Sequence, residues 1–80
     1  MAESEKLQRL VREIIQESEL PRTLLAKDAE ISRAAVEAWL SGNRNPTSQI
    51  AEHLAAGLER RATRLQYLAF RLRSGLEQDG

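Results

Sequence analysis

Eighty residues without a cysteine suffice for one small domain and are too few for two, and they leave the fold no disulfide and no thiolate metal site to reinforce it. Twelve basic and twelve acidic side chains cancel, which excludes a uniformly basic chain that coats nucleic acid and makes the distribution of charge the informative quantity. No apolar run reaches the length of a bilayer span, and the start Met-Ala-Glu-Ser-Glu-Lys has no basic-then-apolar leader pattern, so the expectation is a soluble, cytoplasmic, all-α chain forming a single domain over 1–80.

In the first predicted helix Leu7, Leu10, Val11, Ile14 and Ile15 recur at i, i+3, i+4, i+7 and i+8, the spacing of one buried stripe, and Ser4 stands where a cap would. Residues 1–20 hold five acids against three bases, so this helix takes the acid surplus and reads as scaffold. Leu20-Pro21 ends it and opens the next, since proline is tolerated in a first helical turn. The second helix, about 21–29, buries Leu24, Leu25 and Ala29. Its N-terminus, with free amides and Arg22, is a candidate phosphate contact.

The stretch from Ile31 to Thr47 is the most heavily punctuated in the chain. Ser32 precedes a helical pattern as a cap, Gly42 follows it as a stop, and Pro46 prevents continuation, which predicts a helix over 32–41. Ala35, Val36, Trp39 and Leu40 form its inward stripe. The outward face carries Arg33, Ala34, Glu37, Ala38 and Ser41, slim enough for the helix backbone to approach the floor of a DNA major groove. There Arg33 reaches guanine acceptors, Ala34 or Ala38 touches a thymine methyl, and Glu37 accepts from a cytosine amine. The same composition also suits a merely solvated helix face.

The flanking residues decide between these readings. Leu24-Leu25-Ala26-Lys27-Asp28-Ala29 gives a short helix, a three-residue break surrounds Glu30, Ile31 plugs the turn, and small Ala26 lets the two helices cross steeply. With Leu25-Ala26, Ile31-Ser32-Arg33, Val36, Trp39, Ser41-Gly42 and Arg44-Asn45-Pro46 in register, the segment from Pro21 to Thr47 resembles the lambda-repressor-like, Cro-type or xenobiotic-response-element-type helix-turn-helix family. The resemblance implies a compact four- to five-helix DNA-binding domain with its helix-turn-helix at about 21–41. It also implies that Arg22, Ser32, Ser41, Asn43, Arg44 and Asn45 lie along the phosphate backbone. Three positions depart from the pattern. Glu30 replaces the glycine or asparagine of a left-handed turn, Leu40 replaces a glutamate after the tryptophan, and Arg22 replaces the glutamine that opens the second helix.

Beyond the polar loop Gly42-Asn43-Arg44-Asn45-Pro46, Thr47 or Ser48 caps a further helical stretch. Ala51, Ala55, Leu58, Ala62, Leu65, Ala69, Leu72 and Leu76 step by four and three in turn, a heptad seam with leucine on most of one position and alanine on most of the other. Gly57 either divides this stretch into two helices or weakens one long one. The segment 58–76 is the expected dimerisation helix, with Leu58, Ala62, Leu65, Ala69, Leu72 and Leu76 at the interface. The alternative is that these leucines fold back on the monomer's core. The arginines at 60, 61, 64, 71 and 73 read as solvated, and the last four residues as frayed.

No glycine-rich phosphate loop, no paired metal-ligand spacing and no nucleophile beside a base occurs, and His53 stands alone, so neither catalysis nor a cofactor is expected. The expected function is a small homodimeric transcriptional regulator, in the first instance a repressor of bacterial or phage type, on a roughly palindromic double-stranded operator. The rival is an antitoxin-type or other protein-interaction module that uses the C-terminal helix to hold a protein partner.

Overall fold

The computed structural model describes the backbone from Ala2 to Asp79 and the side chains from Glu5 to Gln78. Within that span the chain is all-helical: α1 (Ala2–Ser18), α2 (Arg22–Ala29), α3 (Arg33–Ser41) and α4 (Ser48–Asp79). Every helix contributes to one core of Val11, Ile15, Leu25, Ala26, Ala29, Val36, Trp39 and Leu54, with Leu25 and Val36 fully buried. α2 packs against both α3 and α4, and α1 closes over α3.

α1 buries Val11 and Ile15 as its period requires, with Leu7 and Ile14 partly covered at the edge of the core. Leu10, expected in the same stripe, is 53% exposed, because the helix rolls it toward an open groove shared with α4. The helix already runs at Ala2, so Ser4 lies inside it and is not its cap; its side chain is outside the described residues. The end is built by Ser18, whose hydroxyl donates to the Ile15 carbonyl at 2.7 Å and accepts from the Leu20 amide at 3.3 Å. Glu19 takes a left-handed φ of 55°, which turns the chain into Pro21.

α4 is one unbroken helix of 32 residues, capped by Thr47, whose hydroxyl accepts from the Ile50 amide at 3.2 Å. Gly57 does not divide it. A Cβ there would stand 2.7 Å from the Ala29 amide nitrogen and 2.8 Å from the Ala29 Cα and the Asp28 carbonyl carbon. The glycine marks where α4 crosses the last turn of α2 with backbone against backbone. Only a residue without a side chain permits that approach.

One turn further on, the Arg61 guanidinium grips the Asp28 carboxylate through Nε and, at 3.2 Å, through Nη2, and Arg60 donates to the Asp28 carbonyl. These two arginines are therefore not solvated partners of acids on their own helix, as their sequence context suggests. They clamp the C-terminal end of α2, where cations complement the helix dipole. The hydrogen bond from Arg61 holds the Asp28 carboxyl below the usual carboxylate range, against the opposing effect of its burial.

From Ala62 onward α4 leaves the body of the domain, and every described side chain but Ser74 is exposed. At about 1.5 Å per residue the helix is ~48 Å long, which accounts for most of the 59 Å long axis of the molecule. Helical structure runs through to Asp79, in place of the frayed end expected from residue 77. Among the described residues no helix is long and apolar enough to cross a membrane.

Candidate nucleic-acid interface

The connection between α2 and α3 depends on a residue that the sequence makes unlikely to adopt its conformation. Glu30 sits in the left-handed region at φ 59°, ψ 42°. Its amide donates to the Lys27 carbonyl at 3.2 Å, and the Ile31 amide reaches back to the Ala26 carbonyl at 3.0 Å. These two bonds satisfy the last carbonyls of α2 in the pattern a glycine normally closes, so a glutamate there carries strain of roughly 1 kcal/mol. The turn does not differ from the one a glycine would make; the residue is forced into it.

Ser32 then caps α3 from an extended backbone, its hydroxyl accepting from the Ala35 amide at 3.1 Å. Gly42, at φ 84°, ends the helix and donates to the Trp39 carbonyl. Between these stops the stripe divides as the spacing requires. Val36 and Trp39 are buried and Ala35 and Leu40 half-buried, while Arg33, Ala34 and Ser41 are exposed and Glu37 and Ala38 lie at the margin.

Charge on this face is organised around Glu37. Its carboxylate accepts from Arg22 Nη1 at 3.2 Å through both oxygens, and Arg33 Nε lies 3.8 Å from the same group. The Arg22 bridge spans fifteen positions in sequence and ties the first residue of α2 to the middle of α3. Arg22 and Arg33 remain 52% and 63% exposed, so Arg22 engages Glu37 through one guanidinium nitrogen and Arg33 lies beside it, and both keep guanidinium donors facing solvent. Glu37, expected to meet a cytosine, accepts from Arg22 and lies beside Arg33 in the free chain.

The loop after α3 is folded against it. The Arg44 amide donates to the Ala38 carbonyl at 3.2 Å and Pro46 is buried, which leaves the side chains of Asn43, Arg44 and Asn45 exposed just beyond the last turn. The two serines are partly engaged. Ser32 Oγ accepts within the cap with its own proton free to donate outward, and the Ser41 hydroxyl donates to the Ala38 carbonyl at 3.1 Å. Arg22, Arg33, Ala34, Ser41, Asn43, Arg44 and Asn45 thus sit on α2, α3 and the adjoining loop with no hydrophobic core residue among them.

The residues expected at a dimer interface lie elsewhere, along one face of α4. Leu58 is half-buried against the core, Ala62, Leu65, Ala69, Leu72 and Leu76 are exposed, and the leucines at 65, 72 and 76 are each more than half accessible. Beyond Leu58 they do not fold back on the monomer. Sequence reasoning missed the roles of Glu37 and Arg61. Both act across tertiary contacts, and no local spacing announces either.

Among the described residues no three His, Cys, Asp or Glu side chains gather as a metal site. Comparison with family models, curated proteins and solved structures finds no match.

Proposed function

We propose that the chain is a sequence-specific double-stranded DNA-binding protein that acts as a small homodimeric transcriptional regulator, in the simplest case a repressor. The observation that carries this reading is the exposed face of α3, where a slim Ala34 and Ala38 lie beside an exposed arginine whose Nε is 3.8 Å from Glu37 and whose terminal nitrogens are free. In a major groove the alanines admit the backbone and Arg33 offers parallel donors to guanine. Arg22, Ser32, Asn43, Arg44 and Asn45 flank that face at its two ends, where phosphates run, and supply contacts that set register without reading bases. Ser41 belongs to the same rim once its hydroxyl turns outward. Zero formal charge sets a bound on this function: non-specific affinity is modest and rests on few phosphate contacts.

The test separates the two kinds of contact. Arg33→Ala costs ~1–3 kcal/mol on the preferred duplex and relaxes base preference, whereas Arg44→Ala weakens all duplexes alike and lowers the salt slope by about one. Fluorescence anisotropy on specific and scrambled duplexes at several salt concentrations measures both. Equal effects of the two substitutions on specificity refute the assignment.

The exposed apolar arm of α4 favours a second reading, an antitoxin-type or other interaction module that holds a different protein. In that case Arg33→Ala and Arg44→Ala leave function intact and substitutions on the arm abolish it.

A further inference from the structure

From Ala62 to Gln78 the helix has no partner in the monomer, and it carries Leu65, Tyr67, Leu68, Phe70, Leu72 and Leu76 largely in water. An isolated helix of this length is marginal, and Leu65, Leu72 and Leu76, which share one face with Leu68 at its flank, form an apolar seam that requires a cover; Tyr67 and Phe70 lie off that seam. The pattern of the seam specifies which cover fits. Leucine occupies 58, 65 and 72, and alanine occupies 55, 62 and 69. In a parallel pair like positions meet, so layers alternate between two alanines, which leave a void, and two leucines, which fill the space. In an antiparallel pair the alanines at 62 and 69 each face a leucine, so the central layers have the same volume and the helices approach closely there, with a leucine pair closing each end.

The geometry points to a second copy of this chain as the occupant, docked antiparallel along the α4 seam with the two-fold axis at the level of residue 67, between Leu65 and Ala69. In that register Ala62 faces Leu72 of the other copy, Leu65 faces Ala69, and Leu58 faces Leu76. Two independent features agree with it. The positions flanking the seam bring Glu59 opposite Arg73 twice by symmetry, a charge match that a parallel pair does not make, since it would leave these residues two heptads apart. Leu68 meets its own mate near the axis, which covers the one large side chain on the body-facing flank of the arm.

The same register delivers Leu76 of the second copy to the apolar groove lined by Leu10, Ile14, Ala55 and Leu58, and so accounts for the exposure of Leu10 on α1. The groove is continuous with the free seam, so one partner covers both.

The arrangement also sets the separation of the two domain bodies. Leu54, the α4 residue buried in the core, lies thirteen positions before Tyr67, so two such residues are about 39 Å apart along the helix axis. The residues α4 turns toward the body, Leu54, Gly57 and Arg61, are rotated by roughly 70° from the seam, so the two-fold places both bodies on one side of the paired helices. If the proposed DNA-binding reading holds, the arms act as a ruler near the ~34–36 Å between successive major grooves. The pairing itself does not depend on that reading.

The test uses the absence of native cysteine. With a short bifunctional thiol cross-linker, Gln66→Cys alone forms a covalent dimer. Ala62→Cys and Leu72→Cys each fail alone and cross-link when mixed. Cross-linking of Ala62→Cys with itself, together with silence at Gln66→Cys, establishes a parallel pair and overturns the proposal. So does a mass of one chain, 9.0 kDa, at every concentration in sedimentation, whether or not another protein can be captured on the arm. Charge reversal gives an arm independent of cross-linking geometry. Glu59→Arg or Arg73→Glu weakens the dimer about tenfold, and the two together restore it. Failure of the double variant to recover, with helicity by circular dichroism unchanged, refutes the register. None of these readouts involves DNA, so the pairing can fail or stand independently of the function proposed above.

Discussion

Two glycines in one helix should respond to the same substitution with opposite signs. At Gly75 a Cβ meets nothing within 4 Å, so Gly75→Ala gains only the backbone preference of alanine, ~0.5–1 kcal/mol. At Gly57 the same Cβ stands 2.7–2.8 Å from three backbone atoms of Asp28 and Ala29, tighter than real Cβ atoms tolerate. Neither side can yield by a rotamer change. Relief requires α4 to move away from α2 by roughly 0.6 Å, which also parts Leu54 from the alanines of α2 and strains the Arg61–Asp28 clamp. Overpacking of this kind costs ~1–3 kcal/mol, which exceeds the helix-propensity gain. For a domain of this size each kcal/mol moves Tm by about 4–8 °C, so Gly57→Ala should lower Tm by ~5–15 °C while Gly75→Ala raises it by a few degrees. Thermal melts followed by circular dichroism decide it. A rise in Tm for Gly57→Ala equal to that for Gly75→Ala would show that the helices do not cross backbone to backbone, and the architecture described here would be wrong.

Glu30→Gly relieves the left-handed strain between α2 and α3 and should stabilise the fold by roughly 1 kcal/mol, read as a higher denaturant midpoint at unchanged slope; a loss of stability would mean the turn is not left-handed. Ser32→Ala removes the acceptor for the Ala35 amide and should cost ~1 kcal/mol in the same measurement. The Asp28 carboxyl is held below its ordinary range by Arg61, so its contribution to stability is complete above the unfolded pKa near 4 and disappears as pH falls through the lower folded value. Asp28→Asn should therefore lower Tm at pH 7 and flatten the acid limb of the Tm-against-pH curve; an acid limb unchanged by the substitution would remove the clamp from the account.

The helices were legible wherever their information is local. The stripe Leu7 to Ile15, the Ser32 and Gly42 stops and the Leu-Ala heptads each fix an element through spacing or a cap, and α3 begins and ends where those residues place it. Contacts between elements were not legible. Gly57 reads in sequence only as a break or a weak point in a helix, because its use, contact with the backbone of Ala29, exists only once α2 lies across it. Arg61 reads as one of five scattered arginines until Asp28 arrives beside it. Glu37 reads as a free acceptor until the turn at Glu30 folds Arg22 against it. Ser4 fails as a cap for a different reason: α1 already runs at Ala2, so a good local capping residue loses to helix continuation.

Whether the exposed face of α3 reads bases is tested most directly by incubating the wild-type chain with a random pool of DNA duplexes at low salt and sequencing what it retains. Base reading by Arg33 in a two-fold dimer predicts enrichment of one inverted-repeat sequence with half-sites about one helical turn apart and a guanine in each half that Arg33→Ala no longer selects. Retention of the pool without any enriched sequence by the folded, dimeric protein, or enrichment that Arg33→Ala leaves unchanged, would contradict it.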